Sequence, residues 1–394
     1  MTSIIRQLCQ TLLAAFLLVS PSTYAAERPL PIVAPEAVGV KAESLREIPA
    51  LIDRAIADGE MPGCVVLVGR RGKVFFYEAF GHRQIEPEPV AMTRDTVFDL
   101  ASLTKPIATA TSVMKLVDAG QVDLDQPAAR YLPEFGDEAK REITVRQLLT
   151  HQSGLTPDNA LGDYQHGRDE AWRRICGLKL VAPRGSKFMY SDVGFIVLGK
   201  LVERVANQPL DEFARRNIFA PLGMNDTGYL PSEPLRQRAA PTEQRDGRWM
   251  RGEVHDPRAY LLGGVAGHAG LFSTAEDLAV YAAAMADQGR FGDQRLLSGA
   301  TWTRMVTSHD VGRGQRTLGW DRRTGYSINR GEAFSDEAFG HGGFTGTVIW
   351  IDPKSELFFV FLSNRLHPDG KGAVNRLAGS IATLVWQASE QPKR

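Results

Sequence analysis

What constrains this chain most is the placement of its strand-forming residues. "CVVLV" and "VFFYEAFG", joined by "GRRGK", lie near the N-terminus, and "TVIWIDPKSELFFVFLSN" lies near the C-terminus. β-Branched and aromatic residues dominate both regions. Each holds two runs around a short turn-forming stretch, which predicts a hairpin at each end. From about 121 to 300 the apolar spacing is helical and strand signals are few. The economical solution is an α+β fold: one antiparallel sheet built from both chain ends, with terminal helices over Ala42–Ala57 and Ala373–Ala388 on one face. The helical middle is then an inserted lobe. This places a sheet lobe at about 42–100 and 310–394, an all-helical lobe at about 101–309, and an active site in the cleft between them.

Several local signals refine that frame. A long helix is expected to follow Ser102 and end at Gly120. "TVRQLLTHQSGL" reads as a short helix ended by Gly154, and "GFIVLGKLVERVANQ" as a strong helix. Thr274 can cap the helix of "TAEDLAVYAAAMADQ", with Asp277 three residues on in a near capping box. Residues 26–41 are proline-rich and are expected to lie extended over the surface.

The first residues, "MTSIIRQLCQTLLAAFLLVSPSTYA", combine Arg6 with an apolar run, Thr11 to Val19, shorter than the ~20 residues that span a bilayer. Thr23 and Ala25 are small residues before a possible cut after Ala25. Residues 1–25 read as a signal peptide, with a retained anchor as the alternative, and 26–394 as the mature chain. No later stretch is long and apolar enough to span a membrane. A periplasmic or secreted location is expected. Cys64 and Cys176 would remain after cleavage. One pair is no disulfide framework, and Cys64, inside "GCVVLVG", reads as a buried thiol. Lysine plus arginine (46) equals aspartate plus glutamate (46), so no general drive toward nucleic acid or anionic lipid exists. The locally basic "RQRAAPTEQRDGRWMRG" reads as a solvated loop.

"FDLASLTKPI" holds Ser102 and Lys105 three residues apart, with Pro106 behind the lysine. On a helix those two side chains share a face. A serine hydroxyl becomes a nucleophile when a base takes its proton, and lysine can serve if its pKa is lowered. Pro106 fits a helix's first turn, so Ser102 could equally be an N-cap. A second copy, "SVMK" (Ser112 to Lys115), falls inside the helix and shows how weak the pattern is alone. Two further stretches accompany it. "YSDVG", Tyr190 to Gly194, precedes a helix, and a tyrosine between two lysine-like charges can titrate low enough to carry protons. "GHGGFTGT", Gly340 to Thr347, precedes a strand, where glycines allow backbone N–H groups to approach a ligand, as an oxyanion hole requires.

In this order these stretches resemble the serine β-lactamase and penicillin-binding-protein superfamily, in its class C-like branch. "LLTHQSGL", "PLGMNDTGY" and "EVHDPRAYLLGGVAGHAGLFS" add to the likeness, which is greatest for periplasmic D-Ala-D-Ala carboxypeptidase-like members and covers nearly the whole mature chain. The resemblance implies a β-lactamase/transpeptidase-like fold. It implies Ser102 as the acylated nucleophile, Lys105 as the lysine that helps deprotonate it, and Tyr190 as the proton carrier to the leaving group. His341, Gly342 and Gly343 match the Lys-Thr-Gly element, and the N–H groups of Ser102 and Phe344 would form the oxyanion hole. Two departures stand out. Asp192 replaces the usual Asn and, when ionised, can only accept hydrogen bonds. His-Gly-Gly lacks the fixed cation and hydroxyl that help hold a substrate carboxylate, since His341 is positive only when protonated.

His255, Asp256, His268 and His341 match no metal-ligand spacing, and structural roles are expected for them. His151 reads as a packing or hydrogen-bonding residue, Trp320 as cleft or core, and Arg365 as a carboxylate ligand or a surface residue. The expected function is an exported serine hydrolase, without cofactor or metal, acting on a small-molecule or peptidoglycan-peptide substrate as D-alanyl-D-alanine carboxypeptidases do. A carboxylesterase or weak β-lactamase on the same residues is the alternative. A non-catalytic penicillin-binding sensor and a metal-dependent hydrolase are the others.

Overall fold

A computed structural model of the protein describes residues 29–389. The leader expected at 1–25 lies outside the described residues.

Both hairpins form. β1 (Gly63–Arg70) turns into β2 (Lys73–Gln84) through Arg71 and Gly72, both in the left-handed region at φ 52° and 67°. Such a turn matches the twist of the paired strands. Short β3 (Val90–Ala91) follows. Near the other end lie β4 (His309–Asp310), β5 (Gln315–Arg316), β6 (Asp321–Arg323), β7 (Phe339–Gly343), β8 (Thr347–Asp352) and β9 (Leu357–Ser363). They join one nine-stranded sheet in the order β4-β5-β6-β7-β8-β9-β1-β2-β3. The two chain ends meet at the antiparallel β9–β1 pair, from Cys64 opposite Ser363 to Arg70 opposite Leu357.

Every residue of β1 and β9 is buried, because both faces of the sheet are covered. On one face Val66, Val68, Phe359 and Phe361 pack against Ile48 and Ile52 of α1 (Glu47–Ala57) and Ile381 and Val385 of the C-terminal helix (Asn375–Ala388). On the other, Val65, Leu67, Val360 and Leu362 join the core shared with the Ala275–Ala286 helix. The period of two along each strand divides these sets. The two ends of the described chain also touch: Lys41 N–H donates to Ala388 O at 2.9 Å.

The segment before α1 is not extended throughout. Pro35–Val38 form a 3₁₀ turn, Val38 and Val40 are buried, and Arg70 donates to the carbonyls of Val38, Gly39 and Ser355. The core reaches the segment because its apolar residues need cover.

The helix after Ser102 is not uniform. A 3₁₀ turn (Ala101–Leu103) leads into a π segment (Lys105–Ala110) and then α2 (Thr111–Asp118). The Thr111 hydroxyl donates to Pro106 O at 2.8 Å within this wider turn. π segments of this kind gather at functional sites. α3 (Val145–Leu149) carries a full capping box from Thr144 and Gln147, and stops well before Gly154. His151 makes the break, with φ 56°. α4 (Asp192–Ala206) is capped by Ser191, whose Oγ accepts the Gly194 N–H at 3.0 Å. α5 is the Ala275–Ala286 helix named above. Thr274 caps it, but the Asp277 carboxylate turns away to Thr227 and the Asp226 N–H, so the box is half made. A three-stranded patch of Phe98–Asp99, Leu271–Ser273 and Gly228–Tyr229, unsignalled in the sequence, anchors the approach to Ser102. Among the described residues no helix is long and apolar enough to cross a membrane.

Candidate active site

The chain enters the site from the Phe98–Asp99 strand and turns sharply at Ala101, a non-glycine residue at φ 45°. Side chains pay for such backbone with strain, held here by neighbours. One oxygen of buried Asp99 accepts the Ala101 N–H at 2.8 Å and the other accepts the His255 N–H at 2.7 Å. Burial pushes the Asp99 carboxyl up, and these two hydrogen bonds oppose it. Asp99 thus joins the Ser102 turn to the loop before Asp256, a role no local pattern announced.

Ser102 is partly exposed and Lys105 is fully buried. Ser102 makes no cap hydrogen bond, so the N-cap alternative is not what the geometry shows. Instead Lys105 Nζ donates to Ser102 Oγ at 3.1 Å and to His268 O at 3.0 Å, and lies 2.6 Å from Asp192 Oδ1. Burial alone would push the ammonium down. The Asp192 carboxylate outweighs it, with help from Tyr190, and Lys105 titrates above an ordinary lysine. The expectation that Lys105 becomes a base through a lowered pKa is therefore corrected: Asp192 holds it as a cation. "SVMK" assembles nothing comparable, since buried Ser112 has no partner and Lys115 donates to Leu296 O.

Tyr190 stands just before α4. Its ring stacks between His151, at 4.4 Å, and Tyr326, at 5.1 Å, with Lys105 Nζ 5.0 Å from its centre. Its hydroxyl interacts with Ser102 and Lys105. Burial pushes the phenol up, and Lys105 pulls the other way. His341, on β7, is buried and lies 6.0 Å from the Tyr190 ring. Its Nδ1 bonds Gly342 O at 2.7 Å. Burial, then the charge of Arg316, pushes the imidazole well below its usual range, so it is neutral. Tyr190 accordingly does not sit between two lysine-like charges supplied by the three motifs, and its pKa is raised rather than low.

The glycines of the third stretch permit close packing. A Cβ on Gly343 would come within 2.4 Å of Leu100 O and 2.2 Å of Thr347 Oγ1, and one on Gly342 within 2.5 Å of the Asn329 amide. Thr345 and Thr347 hydroxyls donate to Asp99 O and Leu100 O at 2.6 and 3.1 Å. The β7–β8 turn is thereby clamped to the Ser102 turn. Phe344 projects from it, 61% exposed, with the His255 ring 5.7 Å away on one side and the Arg365 guanidinium 4.7 Å away. Arg365 also donates to Gly372 O, so it is a half-buried wall residue. Trp320 is core, fully buried against Tyr281 and Phe339.

The four residues weighed for metal do not converge. His255 pairs with Glu243 at 2.5 Å, and His341 turns to Gly342 O. Asp192, Asp256 and His268 do approach, with one ligand atom each within 4.8 Å of the others. Asp256 is bonded to His268 Nε2 at 2.9 Å, and the positive charge facing Asp192 is Lys105. The donor set thus serves an internal ammonium. Cys64 and Cys176 are both free, the former buried.

The assembled groups suit acyl transfer: a hydroxyl in contact with an ammonium and a phenol, beside backbone held in place by a glycine-rich strand. A beta-lactamase family model matches residues 48–383. An N-acetylmuramyl-L-alanine amidase of Bacillus subtilis (strain 168) is 32% identical over 91% of this chain and 92% of its own length. A protein of Escherichia coli (strain K12), provisionally named a D-alanyl-D-alanine carboxypeptidase, is 32% identical over 90% of each chain. A solved class C beta-lactamase superposes with a TM-score of 0.73 at 18% identity, covering 90% of this chain and 98% of its own, which is a likeness of fold.

Proposed function

This chain belongs to the beta-lactamase family of serine hydrolases, and we propose that it is an exported enzyme that opens amide bonds of cell-wall peptides through an acyl-enzyme on Ser102. The observation that carries the reading is the three-way contact of Ser102, Lys105 and Tyr190, with Asp192 fixing Lys105 as a cation. In this reading Tyr190 first gives its own proton to solvent and reacts as a phenolate held by the Lys105 ammonium. Ser102 Oγ attacks the carbonyl carbon as its proton passes to that phenolate, and the negative charge moves to the carbonyl oxygen. The N–H groups of Ser102 and Phe344 receive the oxyanion. Tyr190 returns the proton to the departing amine, then takes one from the water that releases the acyl group.

A D-Ala-D-Ala peptide is one candidate substrate. Neutral His341 favours a second, an amide with no free carboxylate beside it, such as that between N-acetylmuramic acid and L-alanine. The test is to incubate the protein with an N-acetylmuramyl-L-alanine peptide, a D-Ala-D-Ala peptide, a fluorescent penicillin and a short nitrophenyl ester, following products and intact mass. Cleavage of a peptide, lost in Ser102→Ala, supports the proposal, and the peptide cleaved identifies the bond. Ester turnover alone supports an esterase, and a penicillin adduct that never clears supports a sensor. Activity that survives Ser102→Ala but not a chelator sinks the serine mechanism.

A further inference from the structure

With His341 neutral, the second positive charge that three-motif chemistry calls for has no source among the motif residues. The structure supplies one elsewhere. Arg316, on β5, is fully buried, and none of its three guanidinium nitrogens has a hydrogen-bond partner. Its nearest carboxylate oxygen, Asp321 Oδ1, is 3.7 Å from Nη1, too far for a hydrogen bond. That carboxylate is engaged elsewhere, by the Arg322 N–H at 2.9 Å and the Ser327 hydroxyl at 2.8 Å. Arginine remains charged even when buried, and an ion left without close partners is costly. A side chain kept at such cost, with its charge pointing into a cluster of rings, needs an explanation.

The surroundings offer one. The guanidinium carbon lies 5.4 Å from the Phe188 ring, which meets both His151 and Tyr326 edge-on at 6.0 Å. Those two rings sandwich Tyr190. The chain leaving β5 packs on the helix bearing Lys105: a Cβ on Gly319 would meet Ala110 at 2.4 Å, and the Gly319 N–H donates to Leu149 O. We propose that Arg316 is the fixed cation of this site, a positioning residue whose charge favours Tyr190 as acceptor of the Ser102 proton. The groups facing Tyr190 are Lys105 behind Ser102, Asp192 at the start of α4, His151 after α3, His341 on β7 and Tyr326 after β6, with Arg316 on β5 one ring further out, behind Phe188. After burial, Arg316 is the charge that most depresses both His151 and His341. A Tyr190 phenolate in turn supports the charge of Arg316. In so buried a setting the field is weakly screened.

The inference rests on the acyl-serine reading. Its test is the pH dependence of Ser102 acylation by p-nitrophenyl acetate, followed by intact mass and by kcat/KM, in wild type, Arg316→Lys, Arg316→Met and Asp321→Asn. Loss of the cation raises the pKa of the accepting phenol, so the ascending limb for Arg316→Met moves to higher pH by about one unit, at the low end of what a nearby charge does. Its kcat/KM falls about tenfold at neutral pH with KM little changed. Arg316→Lys restores most of both. Asp321→Asn keeps the limb in place or moves it lower, because the carboxylate that opposes the cation is gone. Equal losses in Arg316→Lys and Arg316→Met with unmoved limbs would overturn the proposal. So would an Asp321→Asn limb displaced to higher pH, which would mark Arg316 as a structural partner of Asp321. If Arg316→Met does not fold, Arg316→Lys and Asp321→Asn still decide. Ester turnover undiminished in Ser102→Ala overturns the acyl-serine reading itself, and this inference with it.

Discussion

At the scale of single residues, the site depends on Asp192 more than the Ser-x-x-Lys spacing suggests. Lys105 is a buried cation whose counter-ion is the residue two beyond Tyr190. Asp192→Asn leaves that charge buried and unpaired, which costs about 3–5 kcal/mol of stability. A urea melt of Asp192→Asn, Lys105→Met and the double variant checks it: the double variant regains most of the loss. Lys105's raised titration also fixes a sign. Its contribution is complete below the ordinary lysine value of 10.5 and is lost as pH rises further. Stability of the wild type therefore declines on the alkaline side more steeply than that of Lys105→Met. Ala101 tests stored strain. Ala101→Gly relieves a left-handed alanine and stabilises the fold by about 1 kcal/mol, while the turn gains freedom and Ser102 acylation slows. Ser102, Lys105 and Tyr190 were legible because a helical spacing or a helix start fixes where each side chain points. Asp99 and Arg316 were not. Asp99 ties the nearby Ala101 N–H to the distant His255 N–H, Arg316 meets Phe188 far along the chain, and a lone aspartate or arginine does not announce such a reach.

At the scale of elements, the β7–β8 turn is held to the Ser102 turn by two threonine hydroxyls and the lack of a side chain at Gly343. Gly343→Ala forces that contact apart. A misplacement of even about 1 Å costs on the order of a hundredfold in rate, so acylation should fall that far while the Tm moves by only a few degrees. A Gly343→Ala variant with wild-type acylation would contradict the clamp. The cap at Thr274 was readable because a short oxygen before an apolar run has one local use. The π segment was not. Its wide turn follows from Pro106 together with the packing of Thr111 against Tyr281, and packing of that kind lies outside any window of sequence.

At the scale of the whole molecule, the joining of both ends into one sheet followed from two strand-rich regions with a helical stretch between them. The nine-strand count did not, because β3 to β6 are only two or three residues long and carry no alternation, and β7 is largely glycine. Cys64 lies on β1, inside this sheet, opposite Ser363, and burial pushes its thiol up. It should resist a thiol-reactive dye in the native protein and react fully in denaturant. Fast native labelling at Cys64 would mean that the sheet opens at the β9–β1 seam. The β9–β1 seam also bears on the order of manufacture. Strand β1 waits for a partner, β9, that is synthesised long after it. Until that partner emerges, the first hairpin has an open edge and half a core, so the growing polypeptide cannot lock into its final shape. A chain built this way stays threadable until β9 has emerged, which is the condition a narrow translocation channel imposes on its cargo.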